Sequence, residues 1–122
     1  MKSLLIIGSV FAALSVLLGA FGAHGLKNRL SIEDLAIFET AVRYQMYHAL
    51  GILLMGLASF YLTEKLVSTP AYFLILGIIV FSGSLFLLVF TNLRWFGAIT
   101  PIGGLCLIIG WLLFAYNIYF HA

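Results

Sequence analysis

The sequence predicts an all-α integral membrane protein with four transmembrane helices in a compact left-handed bundle. Of the 122 residues, 64% are hydrophobic and only 8% are charged, whereas a soluble domain is about 45–50% apolar and about 25% charged. The few charges leave four long uncharged stretches, and a membrane-spanning helix needs about 20 mostly apolar residues. A soluble enzyme and a nucleic-acid-binding domain are excluded, because so small a domain cannot bury this much apolar surface.

The four uncharged stretches are 3–26, 44–63, 66–93 and 95–122. We place the membrane spans near 4–23, 46–63, 71–91 and 101–120. Each stretch holds one span, so residues 1–122 form a single transmembrane domain with three short connections. Within lipid a helix satisfies its own backbone hydrogen bonds, which favours helices throughout.

An amphipathic helical segment is predicted to lead into the second span. Ser31, followed three residues later by Asp34, is typical of a capping box at a helix start. No Gly or Pro interrupts 32–50, so this helix continues into the membrane. Glu39 and Arg43 are four residues apart and are expected to pair on its surface.

Two further helix boundaries are predicted from proline. Pro70 is expected to end a tight turn over 64–70, between the second and third spans. Thr100 followed by Pro101 predicts an N-cap and the first helical residue of the fourth span. Cationic residues are slightly more numerous in the first and third connections, which faintly favours a cytoplasmic position for them.

Small residues recur along the spans at spacings of three, four and seven. Such residues let membrane helices approach closely, and the seven-residue period favours left-handed crossings of about +20°. We expect these positions to pack helices together, within the chain or against a second copy. The positions are Gly8, Ala12, Ser15, Gly19 and Gly22 in the first span, Gly77 and Ser84 in the third, and Gly103 and Gly110 in the fourth.

Polar residues are concentrated near the membrane face of the first and third connections. Polar and ionisable groups at membrane depth are functional candidates because they are costly to place there. We therefore expect a cluster that binds a ligand or a lipid; the alternatives are interhelical hydrogen bonds, helix capping and snorkelling. The cluster consists of His24, Glu39, Arg43, Tyr44, Gln45, His48, Arg94 and Thr100.

Other chemistries have weaker support in the sequence. A zinc site from His24, Glu39 and His48 would match no metal-binding motif, and two histidines alone are thin evidence for haem. No catalytic triad or phosphate loop is present. We therefore expect no catalytic residues, no metal and no cofactor.

Several segments together resemble a known family. They are GAFGAHG at 19–25, YQMYHAL at 44–50, FSGSL at 81–85, ITPIGG at 99–104 and GW at 110–111. In this order they resemble the small bacterial inner-membrane proteins of the YgdD/YwdK type, a family of unknown function with a eukaryotic transmembrane relative. The resemblance covers essentially the whole chain. It implies four spans in the bacterial cell membrane with both termini in the cytoplasm, against the faint charge count, and it supplies no activity or substrate.

These observations leave three hypotheses for function. The first is a non-enzymatic protein that stabilises the membrane or acts as a scaffold or accessory subunit. The second is a subunit that binds or transports a small molecule, a lipid or an ion through the polar cluster, and the third is a haem or metal redox protein. The expected partners are the lipid bilayer and either a second copy or another membrane protein, without nucleic acid.

Overall fold

The computed structural model describes residues 2–122. Its long helices are α1 (Lys2–Phe21), α2 (Ile32–Ala58), α3 (Glu64–Thr91) and α4 (Thr100–His121). A π-helical turn over Gly22–Leu26 extends α1, and a 3-10 turn over Arg94–Ala98 precedes α4. The described part of the chain is therefore all-helical, as the sequence predicts.

Three helical stretches are long and apolar enough to cross a membrane: Lys2–Leu26, Glu64–Thr91 and Arg94–His121. They contain the first, third and fourth predicted spans, in that order. Helix α2 is not in this set, since Arg43, Gln45 and His48 lower its hydropathy. It also ends at Ala58 and not at 63, because the chain reverses direction through a turn whose residues are still apolar.

Each helix packs chiefly on its neighbour in sequence, α1 on α2, α2 on α3 and α3 on α4. Helices α1 and α4 are the outer ones. In the most apolar stretch of each, 17% of the residues are buried, compared with 39% in α3. The core joins Ile52 and Met55 of α2 to Leu74 and Ile78 of α3. The centre of the protein is therefore the α2–α3 pair. The left-handedness of the bundle stays a prediction.

The small residues of α1 face α2. A Cβ added to Gly8 would lie 2.8 Å from the side chain of Leu53. One added to Gly22 would lie 2.6 Å from the ring of Phe38. Ser15 is buried between them, whereas Ala12 and Gly19 are half-buried. This ridge lies mainly at an interface inside the chain and not on a face free for a second copy.

The glycines of α3 and α4 that were predicted to pack helices each face a larger residue of the other helix, in an antiparallel register. A Cβ on Gly103 would overlap the backbone of Phe81, and one on Gly77 would overlap Leu107. Further along, a Cβ on Gly110 would lie 2.7 Å from the side chain of Leu74. At Gly103 the added Cβ would meet backbone atoms, which cannot move aside as the end of a flexible side chain can.

The predicted boundary at Pro70 is wrong, because α3 begins at Glu64 and Pro70 lies inside the helix. Proline has no N–H, so it cannot donate to the carbonyl four residues earlier, which is that of Leu66. Asn117 of α4 fills this gap, with its Nδ2 donating to the Leu66 carbonyl at 2.9 Å. Polar side chains of neighbouring helices can satisfy backbone groups freed by proline within membranes, and α3 continues through Pro70 on that basis.

The predicted capping role of Thr100 is also wrong, although α4 begins at this residue with Pro101 in its first turn. The N-cap of α4 is Ile99, and no side chain makes a cap bond there. The Thr100 hydroxyl instead lies 2.6 Å from the Ser84 hydroxyl of α3 and 3.3 Å from the Phe96 carbonyl. The hydrogen bond to Ser84 of α3 therefore orients the Thr100 side chain.

Candidate functional site

The predicted polar cluster does not form one site. The structure places its eight residues in separate environments. The side chains of Gln45, Arg94 and Thr100 form hydrogen bonds to other helices, whereas His48 bonds within its own helix. Gln45 and His48 are buried, Thr100 is half-buried, and the remaining members are exposed.

Gln45 lies at the middle of the bundle, deeper than the sequence suggested. Its side chain is 5% exposed, and its Nε2 donates to the carbonyl of Phe11, halfway along α1, at 3.0 Å. On the other side of α2, the buried hydroxyl of Ser82 donates to the carbonyl of Ala41 at 2.7 Å. These two hydrogen bonds join α2 to α1 and to α3.

His48 points inward, and its ring lies among aromatic residues. Its Nδ1 is 2.7 Å from the carbonyl of Tyr44, and since a carbonyl only accepts, Nδ1 donates and a neutral ring leaves Nε2 as an acceptor. The ring stacks on Tyr44 and lies 6.0 Å from the ring of Trp111 on α4. Tyr44 in turn stacks on Phe81 at 4.6 Å. This aromatic group links α2 to both α3 and α4.

Arg94 forms a bidentate ion pair with Asp34, with bonds of 2.8 and 3.1 Å. It ties the 3-10 turn before α4 to the first turn of α2. The hydrogen bond from Arg94 is the main reason that the pKa of Asp34 lies below its ordinary value. The Asp34 N–H donates to the Ser31 hydroxyl at 3.1 Å, so half of the predicted capping box forms, while the carboxylate turns to Arg94.

The pairing of Asp34 with Arg94 was not predicted from the sequence. The two residues are 60 positions apart, so no local motif joins them. Their opposite charges on the same predicted membrane face were the available signal.

Glu39 and Arg43 do not form the predicted ion pair, since within residues 2–122 Arg94–Asp34 is the ion pair found within 4.0 Å. Both side chains line a small groove of about 200 Å³ beside Gly19 and Phe38, between α1 and α2. His24 is exposed on the π-helical turn. Over the described residues, no three His, Cys, Asp or Glu side chains are grouped so that they could hold a metal ion.

A larger cavity lies at the opposite end of the bundle, away from the polar cluster predicted from the sequence. This α3/α4 crevice has a volume of about 420 Å³ between the start of α3 and the end of α4. Its lining residues are Thr63, Lys65, Leu66, Thr69, Leu113, Asn117 and His121. Lys65 and His121 are far apart in sequence and line the same crevice because α3 and α4 are antiparallel.

Comparison with known proteins gives the family. Residues 18–104 match the family described as "Protein of unknown function (DUF423)". The chain belongs to the DUF423 family. The resemblance found in the sequence is confirmed, since the chain is also 42% identical to YwdK of Bacillus subtilis, named a UPF0382 membrane protein, over 118 residues and 93% of each chain.

Two staphylococcal relatives of this DUF423 protein are closer in sequence. A UPF0382 membrane protein of Staphylococcus saprophyticus is 49% identical over 93% of each chain. One of Staphylococcus epidermidis is 50% identical over 92% of this chain and 91% of its own. No solved structure matches. The relatives are named as bacterial membrane proteins, and the DUF423 protein described here is accordingly a multi-pass protein of the bacterial cell membrane.

Proposed function

We propose that this DUF423 protein is a non-enzymatic, structural or accessory protein of the membrane with four membrane-spanning helices. The observation that carries the proposal is how the buried polar side chains are used. Within residues 2–122, no buried side-chain nitrogen or oxygen lacks a hydrogen-bond partner. Those of Gln45 and Ser82 bond to backbone carbonyls of neighbouring helices, and the half-buried side chain of Asn117 does the same. Groups used in this way hold the helices together and leave little for chemistry on a substrate.

The fourth span in this proposal is α2. It has 27 residues, which at 1.5 Å per residue gives about 40 Å, more than the roughly 30 Å of a hydrocarbon core. Its polar residues Gln45 and His48 face inward. They lower the mean hydropathy of the helix, but they are not exposed to lipid. Arg43 lies 15 residues before the end at Ala58, about 22 Å along the axis, so its side chain can snorkel to the interface.

An accessory protein needs a surface for its partner, which is either a second copy or another membrane protein. The outer helices offer one, since Leu17 on α1 and Leu112 on α4 are 66% and 65% exposed. Photocrosslinking amino acids at these two positions, in cells, are expected to give a discrete protein adduct. A crosslinker at Asn28, exposed in the first connection, is the control outside the helices. Lipid adducts alone at both helix positions would contradict the accessory role.

A second candidate is ligand or lipid binding in the groove between α1 and α2. It is favoured by one observation, that Glu39 and Arg43 line this groove without an ion pair between them. The test compares lipid retention by Glu39→Gln and Arg43→Gln variants with that of the unaltered protein. Reduced retention would support this candidate, and equal retention would remove it.

A further inference from the structure

The α3/α4 crevice has a lining suited to an anion. Lys65 contributes an ammonium, His121 an imidazole, and Thr63 and Thr69 contribute hydroxyls. No carboxylate is among its lining residues, although Glu64 is next to Lys65 in the chain. A cation would therefore meet like charge, whereas an anion would meet donors.

The hydrogen-bond donors of the crevice outnumber the partners it provides for them. An asparagine amide has two N–H donors, and Asn117 uses one on the Leu66 carbonyl, which leaves the other. Thr63 precedes α3 and its side chain makes no cap bond. Lysine and hydroxyl groups are common donors to phosphate oxygens, and bonds to an ionised acceptor are the strong ones.

If α3 and α4 cross the membrane, the crevice lies near the level of the lipid phosphate groups. It is formed by the start of α3 and the end of α4, and Tyr116 and Tyr119, exposed beside it on α4, are typical of the headgroup level. Its volume of about 420 Å³ falls in the usual range for a small-molecule site, about 300–1,000 Å³.

We propose that the α3/α4 crevice binds the phosphate group of a phosphoester ligand, held by Lys65, His121 and the two threonine hydroxyls. This site lies on the membrane face opposite the polar cluster predicted from the sequence. It does not depend on the proposed accessory role, since a structural protein and a transport subunit could each carry such a site.

The test uses the full-length protein, stripped of lipid in detergent, and native mass spectrometry of lipid binding. Phosphatidylglycerol is compared with a diacylglycerol of the same acyl chains, which has no phosphate. The unaltered protein is expected to retain phosphatidylglycerol about tenfold better than a Lys65→Gln, His121→Gln double variant, because the lysine ammonium and the imidazole donor are both lost. Diacylglycerol is expected to bind weakly and equally to both.

Lys2→Gln is the matched control, because Lys2 lies on the same membrane face and is not among the crevice residues. It should retain phosphatidylglycerol as the unaltered protein does. A Thr69→Val variant, which keeps the side-chain shape and the charge, should weaken binding without the double variant's change in charge. Circular dichroism checks that each variant folds.

Added glycerol phosphate distinguishes two sources of the phosphate. Displacement of phosphatidylglycerol by it supports the site with a soluble phosphoester as ligand, and a lack of displacement supports the site with a lipid headgroup. Equal retention by the double variant and the unaltered protein would overturn the proposal. So would diacylglycerol binding as tight as that of phosphatidylglycerol, or an equal loss in Lys2→Gln.

Discussion

The hydrogen bond between Asn117 and the Leu66 carbonyl gives the sharpest prediction, because it replaces the helical hydrogen bond that Pro70 cannot make. Pro70 removes the N–H that would normally bond to this carbonyl, and Asn117 of α4 replaces it at 2.9 Å. Replacing Asn117 by leucine keeps much of the side-chain volume and removes the donor. The carbonyl of Leu66 then has neither the helical partner nor the interhelical one.

The expected cost is about 1 kcal/mol in the free energy of unfolding. A buried group left without its partner costs about 1–3 kcal/mol, and interhelical hydrogen bonds within membranes average about 0.6 kcal/mol with a maximum near 1.7. The bond is half-buried and borders the polar α3/α4 crevice, where other donors can partly substitute. The lower part of the range therefore applies.

Measuring Asn117→Leu in both the unaltered protein and a Pro70→Ala variant gives a double-mutant cycle. Alanine at 70 restores an N–H that can bond to the Leu66 carbonyl, so Asn117→Leu should then cost little. Reversible unfolding in mixed micelles, followed by the fluorescence of Trp95 and Trp111, measures each variant. Asn28→Leu, at an exposed position, is the control for loss of an asparagine. Equal destabilisation by Asn117→Leu in both backgrounds would refute the reasoning.

Two further predictions concern helix packing and acid stability. Gly103→Ala should destabilise by about 1–3 kcal/mol, because its Cβ would meet the backbone of Phe81, whereas Gly83→Ala, with open space around it, should stabilise by up to about 1 kcal/mol; equal effects in the same unfolding assay would contradict the close α3–α4 approach. The lowered pKa of Asp34 predicts that the stability given by its ion pair with Arg94 is present above the ordinary value of 3.8 and is lost as the pH falls through the folded pKa. Unfolding measured across this pH range should show that loss in the unaltered protein and not in Asp34→Asn, and identical pH profiles would count against the ion pair.

The all-helical fold and most helix positions could be predicted from the sequence because lipid leaves few alternatives. Long uncharged stretches have to be helices, and the small residues at spacings of four and seven mark the faces along which helices approach. Gly8 and Gly103 lie at such contacts. The position of Pro70 inside a helix could not be predicted, since its tolerance depends on Asn117, which is 47 residues away along the chain.

The candidate site was harder to predict, because sequence places polar residues by depth and not by direction. Gln45 and Arg94 were grouped by their membrane face, yet one bonds to the middle of α1 and the other to the start of α2. The pairing of Lys65 with His121 in one crevice depends on the antiparallel α3–α4 contact. Residue type alone gave neither arrangement.

The central claim is that α2 crosses the membrane with its polar side chains turned to its neighbours. The most direct measurement is cysteine labelling with a membrane-impermeant maleimide in intact cells, using Asn28→Cys and Tyr61→Cys in a Cys106→Ala background. Both positions are exposed, one before α2 and one after it. We predict that one cysteine is labelled from outside and the other only after permeabilisation. Labelling of both from the same side would contradict the claim.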